Sequence, residues 1–361
     1  MRVLFDGFWW TSGPASNRQV LREFIWAWHQ QFPDDELTVA VTRTSLIAAR
    51  SELSPDVAIV GTRLRPQGVS AIVELPFIAL RMHADVVVTH NFTPAFGTSA
   101  VFIHDYMFLS SPEWFTRKER LYFGLMPLSA RRAKWLFTSS RTEADRISRY
   151  SRGRTVTAVG LAVGHGLTDA VARKPTGIEG VSGDFLLCVG RLNARKNLAN
   201  TIEAALQSGR ATAASPLIIV GEPQGRSANL SPSVTVAVDR GAVRFLGFID
   251  DDALAWLYLN TSLLLFLTRD EGFGLPVLEA MYFGAPVLVS DIAVFREILG
   301  TKATFADPDD VAAISEAIRA APARMARTSL DANPGTTPDD LAYSWRASVL
   351  TMRAVIAQLE Q

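Results

Sequence analysis

The chain has 361 residues, nearly half apolar and a fifth charged, with 36 acidic and 36 basic side chains and one cysteine. That composition is globular, not disordered, and the length suits two cores of ordinary size. A single cysteine excludes an intrachain disulfide or a cysteine metal cluster, and no apolar stretch approaches the ~20 residues that span a bilayer.

The opening residues, MRVLFDGFWW, carry Asp6 inside an apolar run and no small-residue cleavage site, so they read as a strand (3–5) and not a signal peptide. Strands are then predicted at 37–41, 57–60, 85–89, 100–103, 135–138 and 155–159, alternating with helices over 17–31, 69–82, 113–133 and 141–150. Glycines, prolines and weak periodicity from 160 to 183 mark a linker. Beyond it strands are expected at 185–189, 216–220, 243–247, 262–267 and 286–289, and helices at 198–207, 252–259, 276–283 and 311–320. Such alternation is the pattern of α/β units on parallel sheets. The expected boundaries are an N-terminal domain at 1–165, a linker at 166–183, a C-terminal domain at 184–340 and a closing helix at 341–361. In open sheets of this kind ligands sit at the carboxyl ends of strands.

The zero net charge hides an asymmetry. From Arg117 to Arg154 eleven basic residues face three acidic ones, a net of +8, interleaved with Trp114, Phe115, Leu121, Tyr122, Phe123 and Trp135. A basic stretch with aromatic neighbours suits an anionic membrane surface or a phosphorylated lipid, and equally an ordinary solvated helix face. No nucleic-acid motif accompanies it, so nucleic acid is not an expected partner. Cys188 lies in the apolar run 185–189, and a reducing cytoplasm fits its solitary thiol. The expected location is cytoplasmic, peripheral on the inner membrane face.

The densest chemistry lies in EGFGLPVLE, 271–279. The apolar run 263–267 precedes it as a buried strand, and Pro276 opens a helix after it. Gly272 and Gly274 flank Phe273 where the chain turns, and glycines there permit close backbone approach to a ligand. A helix start binds a phosphate oxygen, and Glu271 and Glu279 can accept hydrogen bonds from sugar hydroxyls. Together they suggest a nucleotide-sugar site, against the plainer reading of Glu279 as a macrodipole partner. The loop RLNARKN, 191–197, brings Arg191 and Lys196 to a strand end of the same domain, where two cations can stabilise a departing diphosphate. Arg195 is a third cation that the spacing leaves unassigned. Among the histidines, His104 and His90 each follow a predicted strand, whereas His29 and His83 fall in helices and His165 in the linker. Asp250, Asp251 and Asp252 lie between a strand and a helix, where capping is the expected role. No metal and no cofactor are expected.

With those residues in place, the chain resembles the retaining glycosyltransferases of family 4, which carry an EX7E motif on a GT-B fold. The resemblance runs through FIHDYMFLSSPEWF (102–115), VGRLNARKNL (189–198), VRFLGFIDDDALAWLY (243–258), EGFGLPVLEAMYFGAPVLVSD (271–291) and YSWRASV (343–349). It implies an α/β fold with two Rossmann-like doubly wound domains facing across a cleft, and a C-terminal helix crossing back to the first domain. It also implies roles. Glu279 would bind the donor ribose, and Glu271 the transferred sugar, with the backbone of Gly272, Phe273 and Gly274 against sugar and phosphate. Arg191 and Lys196 would hold the diphosphate, and His104 would face the sugar from the first domain.

Two departures stand out. The family's first glycine-rich loop is here Thr11-Ser12-Gly13-Pro14-Ala15-Ser16, where Pro14 removes one N–H, leaving Gly13 as its candidate acceptor or phosphate residue. The segment 160–165 lacks the usual Asn-Gly hinge element. RKNL is similar to loops of mannosyl- and rhamnosyltransferases, which favours hexosyl donors of those types. The expected activity is metal-independent hexosyl transfer from a nucleoside-diphosphate sugar to a glycan or lipid-linked hydroxyl, in cell-surface polysaccharide or glycolipid synthesis. A sugar phosphorylase or sugar-nucleotide epimerase on the same fold, and a catalytically silent scaffold subunit, stay open as alternatives.

Overall fold

The computed structural model describes residues 1–181, 184–222, 232–321 and 343–358. Expectations for 182–183 of the linker, 223–231 and 322–340 of the C-terminal domain, and 341–342 and 359–361 of the closing helix lie outside the described residues.

The first sheet has seven strands: β1 (Arg2–Gly7), β2 (Glu36–Thr42), β3 (Ala58–Thr62), β4 (Val86–His90), β5 (Ser99–Phe102), β6 (Trp135–Thr138) and β7 (Thr157–Ala158). Their order is β3-β2-β1-β4-β5-β6-β7, and every pair is parallel. The second has six: β8 (Leu186–Val189), β9 (Leu217–Val220), β10 (Val243–Gly247), β11 (Leu263–Phe266), β12 (Val287–Ser290) and β13 (Thr304–Ala306). These run β10-β9-β8-β11-β12-β13, again all parallel. The central strands β4, β8 and β11 are buried at every position, as parallel strands covered on both faces require. The order reverses between β1 and β4 in one sheet and between β8 and β11 in the other. Each reversal opens a crevice at the strands' carboxyl ends.

The chain forms two compact units, one of Met1–Pro112, Arg117–Gly164 and Tyr343–Gln361, the other of Glu113–Thr116 and His165–Ala342. The closing helix, Trp345–Ala357, belongs to the first. Its Trp345 ring meets Phe24 edge-on at 5.5 Å, and Trp345 Nε1 donates to the Val163 carbonyl at 2.9 Å. Arg353 pairs with Asp35 at 3.1 Å, so the tail is fastened to the helix Ala15–Gln31 and the loop after it.

Two predicted helices are broken. In place of 113–133 the chain makes a 3₁₀ turn at Pro112–Trp114 and helices Arg117–Phe123 and Leu125–Ala130. Gly124 sits at the break, and Pro127 fits only because it falls in a new first turn. The second, expected over 69–82, is helical from Gln67 to Arg81, with a π turn at Ser70–Glu74 just before Pro76. Proline has no N–H to give the Ile72 carbonyl, which accepts instead from Ala95 N at 2.9 Å. Short pieces such as Ala293–Leu299 and β13 went unpredicted, being too brief to show a period.

Candidate functional site

In the second unit β8 and β11 are neighbours, so the loops leaving their carboxyl ends are neighbours too. The loop after β8 folds into the turn Ala194–Lys196, capped by Asn193, whose side chain accepts from Lys196 N at 3.2 Å. The loop after β11 is stitched to it: Arg269 N donates to the Arg195 carbonyl at 2.9 Å and Thr268 Oγ1 at 3.1 Å. That registration brings Glu271 under two cations. One carboxylate oxygen receives Lys196 Nζ at 2.6 Å and Arg195 Nη1 at 2.7 Å. Lys196 Nζ also lies 4.1 Å from the centre of the Phe266 ring. Burial alone would raise the Glu271 carboxyl, but the Arg195 and Lys196 charges and hydrogen bonds overcome it and hold the group below the usual range.

The chain then passes through Gly274, at φ +98°, where a Cβ would come within 2.5 Å of the Phe295 ring. Only glycine serves there. The helix Leu275–Tyr282 follows with Pro276 in its first turn, and Glu279 is its fifth residue, so it lies beyond the first turn where the macrodipole reading needs it. Glu279 is buried and accepts from Tyr258 Oη at 2.9 Å. Burial, then the Glu279 charge, push the Tyr258 phenol far above its ordinary value, so it stays a donor. Phe273 is buried beside Gly272. Arg191 lies half-buried at the start of the β8 loop, its carbonyl accepting from Asn193 N at 3.0 Å.

In the first unit the switch between β1 and β4 carries a second cluster. His90 ends β4, and its Nδ1 lies 3.2 Å from His104 Nε2, the two rings stacked with centroids 5.3 Å apart. Burial pushes His90 down to about 3, so it is neutral. His104 N donates to Asn91 Oδ1 at 3.0 Å. Trp9 packs on both imidazoles, with centroids 6.0 and 5.9 Å away. Gly13, at φ +93°, lies over that indole, where a Cβ would sit 2.6 Å from Trp9 Cδ1. Behind them Asp6 is buried, and burial raises its carboxyl to about 6 against hydrogen bonds from Gln67 and Phe8 N.

The structure thus joins Glu271 to Lys196 in one cluster, sets Glu279 apart on Tyr258, and places His104 and Gly13 around Trp9 in the other unit. The third cation that the spacing leaves unassigned, Arg195, joins Lys196 on Glu271, whereas Tyr258, Trp9 and the Asp6–Gln67 pair are not among the residues that the sequence points to. The signal for Arg195 was its adjacency to Lys196 in a turn too short to turn one of them away. Asp250 caps the helix Asp251–Asn260 by accepting from Ala253 N at 2.9 Å. Among the described residues no group of acidic, histidine or cysteine side chains is arranged to hold a metal ion.

Known proteins share this framework. The chain superposes on sucrose-phosphate synthase from Thermosynechococcus elongatus with a TM-score of 0.66, at 17% identity over 99% of each chain. It superposes on Anabaena HepE in complex with UDP and glucose with a TM-score of 0.61, at 17% identity over 99% of this chain and 98% of that one. The two Rossmann-like units are those of the GT-B fold. By sequence it is 31% identical over 225 residues to the Escherichia coli O-antigen chain mannosyltransferase B, covering 59% of this chain and 58% of that protein. It is 28% identical over 237 residues to the O-antigen chain mannosyltransferase RfbU of Salmonella typhimurium, covering 65% and 64%. The chain therefore spans less than two thirds of the length of either relative. Residues 178–323, the stretch that holds Arg195, Lys196, Glu271 and Glu279, match the family model described as glycosyl transferases group 1.

Proposed function

We propose that this chain is a retaining glycosyltransferase of family 4. It moves a hexosyl group of the mannose or rhamnose type from a nucleoside-diphosphate sugar to a hydroxyl of a glycan or lipid-linked acceptor. The observation that carries this reading is the buried Glu271 carboxylate held by Arg195 and Lys196 at the β8–β11 switch point. A diphosphate arriving at that edge is a stronger partner for the two cations than one carboxylate oxygen. Drawing them toward itself, it frees Glu271 to accept hydrogen bonds from the sugar hydroxyls. As the bond to the anomeric carbon breaks, Arg195, Lys196 and Arg191 stabilise the charge growing on the departing phosphate. These cations do the work a metal ion does elsewhere, and the reaction is proposed to need no metal or cofactor. Gly272, Phe273 and Gly274 lay their backbone against sugar and phosphate, and Glu279 takes the ribose hydroxyls. His104 is proposed as a second catalytic residue.

The relatives' printed names motivate a role in cell-surface polysaccharide or glycolipid synthesis. The enzyme is placed in the cytoplasm against the inner membrane face, with the basic segment 117–154 toward anionic lipid. The test is a turnover assay of purified protein across nucleoside-diphosphate sugars, with product configuration read by NMR. Glu271→Ala is expected to lower turnover by about 100-fold or more. An undiminished rate in that variant would sink the assignment, and an inverted anomeric configuration would sink retention.

A further inference from the structure

One flank of the first unit is apolar where solvent would be expected. On the helical stretch Gln67–Arg81, Val69, Val73, Phe77 and Leu80 are all exposed, Phe77 by 60% and Leu80 by 68%. Their spacing of four, four and three stacks them on one helix face. The patch continues through the loop after β4, because Ala95 N bonds the Ile72 carbonyl and the exposed Phe96 ring meets Phe77 at 5.1 Å. On the loop's other side Thr93 N donates to Ser129 Oγ at 3.3 Å, which brings in exposed Leu125 and Leu128. Tyr122 accepts from Gly68 N at 2.8 Å and so ties in Leu121, 81% exposed. Three chain segments thus offer one surface, of a kind that marks an interaction site and not scattered exposure.

Its border is cationic. Arg81, Arg117, Lys118, Arg120, Arg131 and Arg132 are exposed and lie within four residues of Leu80, Leu121 or Leu128 along the chain. The helix's own acid, Glu74, is turned to the backbone, accepting from Arg63 N at 2.8 Å and Leu64 N at 2.9 Å. Not all of the 117–154 charge faces outward. Arg146 is spent on buried Glu143, and the Arg154 guanidinium on the Arg131 and Ala133 carbonyls. Beside the patch a cleft of about 550 Å³ joins Phe108, Leu109 and Leu121 to Arg117 and Arg120, apolar walls with cations suited to a phosphate head group.

We propose that this face seats the first unit on an anionic lipid bilayer, with Phe77 and Leu80 entering the acyl boundary and the surrounding cations meeting the head groups. Apolar insertion and electrostatic attraction act together in such interfacial binding. A second copy is a poorer occupant, because a twofold pairing would set the same basic border against itself. The seat rests on the lipid-linked acceptor proposed above for its purpose, but its test involves no sugar transfer, so the two fail separately.

The test is flotation of the full chain with vesicles of phosphatidylcholine alone and of phosphatidylcholine mixed with phosphatidylglycerol. The chain is expected to float with the mixed vesicles only, and added salt should weaken it. F77S/L80S is expected to bind the mixed vesicles at least about tenfold more weakly, given the apolar area withdrawn. R131E/R132E should weaken it as well, and circular dichroism should show both variants folded. Equal flotation on neutral vesicles, or undiminished flotation of F77S/L80S, would overturn the proposal. So would a dimer in sedimentation equilibrium that F77S/L80S dissolves, since that assigns the face to a second copy.

Discussion

At Glu271 a single carboxylate oxygen serves two cations, all three groups largely out of water. Removing the carboxylate leaves Lys196 and Arg195 without a counter-charge, and such truncations cost about 3–5 kcal/mol. Glu271→Ala should therefore lower stability by an amount of that order, visible in urea denaturation, besides lowering turnover. The linkage has a definite sign. The folded-state carboxyl lies below its unfolded value, so its contribution is present above the ordinary glutamate range and is lost as pH falls below that range through the folded-state value. Glu271→Gln should flatten the acid limb of the stability curve relative to the parent, and an identical acid limb would count against a buried ionised Glu271. The acids and Lys196 were legible because they are rare charges at the edges of apolar runs. Tyr258 was not, because a tyrosine inside a helix reads as packing until the fold aims its hydroxyl at Glu279.

Among the elements, the helix Arg141–Tyr150 shows how a local motif is diverted to the site. Ser140 caps it by accepting from Glu143 N at 3.1 Å, the first half of a capping box. Glu143 reaches instead to Tyr106 N at 2.8 Å and to Arg146 at 2.8 Å, and is fully buried. It thereby fixes the segment two residues beyond His104. Glu143→Ala strips the acceptor from Tyr106 N and the partner from Arg146, a loss of about 3 kcal/mol or more. Glu143→Gln keeps the acceptor and should recover much of that stability in the same denaturation experiment. If the two variants denature alike, the contact to Tyr106 carries no weight. The strands other than β13 and the helices 141–150, 198–207 and 311–320 are readable from periodicity and caps alone. The run 113–133 reads as one helix because its Arg, Lys, Leu and Ala residues favour helix, and Gly124 with Pro127 is what divides it.

On the scale of the whole molecule, each unit carries its own titrating groups at its own switch point, and their signs differ. In the first unit Gln67 Nε2 donates to both Asp6 Oδ2, at 2.7 Å, and the His90 carbonyl, at 2.8 Å, so two buried ionisable residues share one support. Asp6 is raised to about 6, so what it contributes is present below the ordinary aspartate value and lost as pH climbs through about 6. His90 is lowered to about 3, so the unfolded chain alone takes up its proton below about 6.5, and stability falls as the pH does. Between about pH 4 and 6 the folded chain binds a proton at Asp6 and the unfolded chain binds one at His90. The two slopes, each about 1.4 kcal/mol per pH unit, oppose one another. The parent's first unit should accordingly show little pH dependence from this pair. Asp6→Asn should expose the histidine slope, with stability dropping as pH is lowered from about 6.5 to 4. His90→Phe should expose the aspartate slope, with stability dropping as pH is raised from about 4 to 6. Tryptophan fluorescence is the right probe, because all of the eight tryptophans but Trp114 and Trp256 belong to this unit. Slopes of the same sign in both variants would mean that Asp6 and His90 do not titrate as an opposed pair, and that another group sets the unit's response.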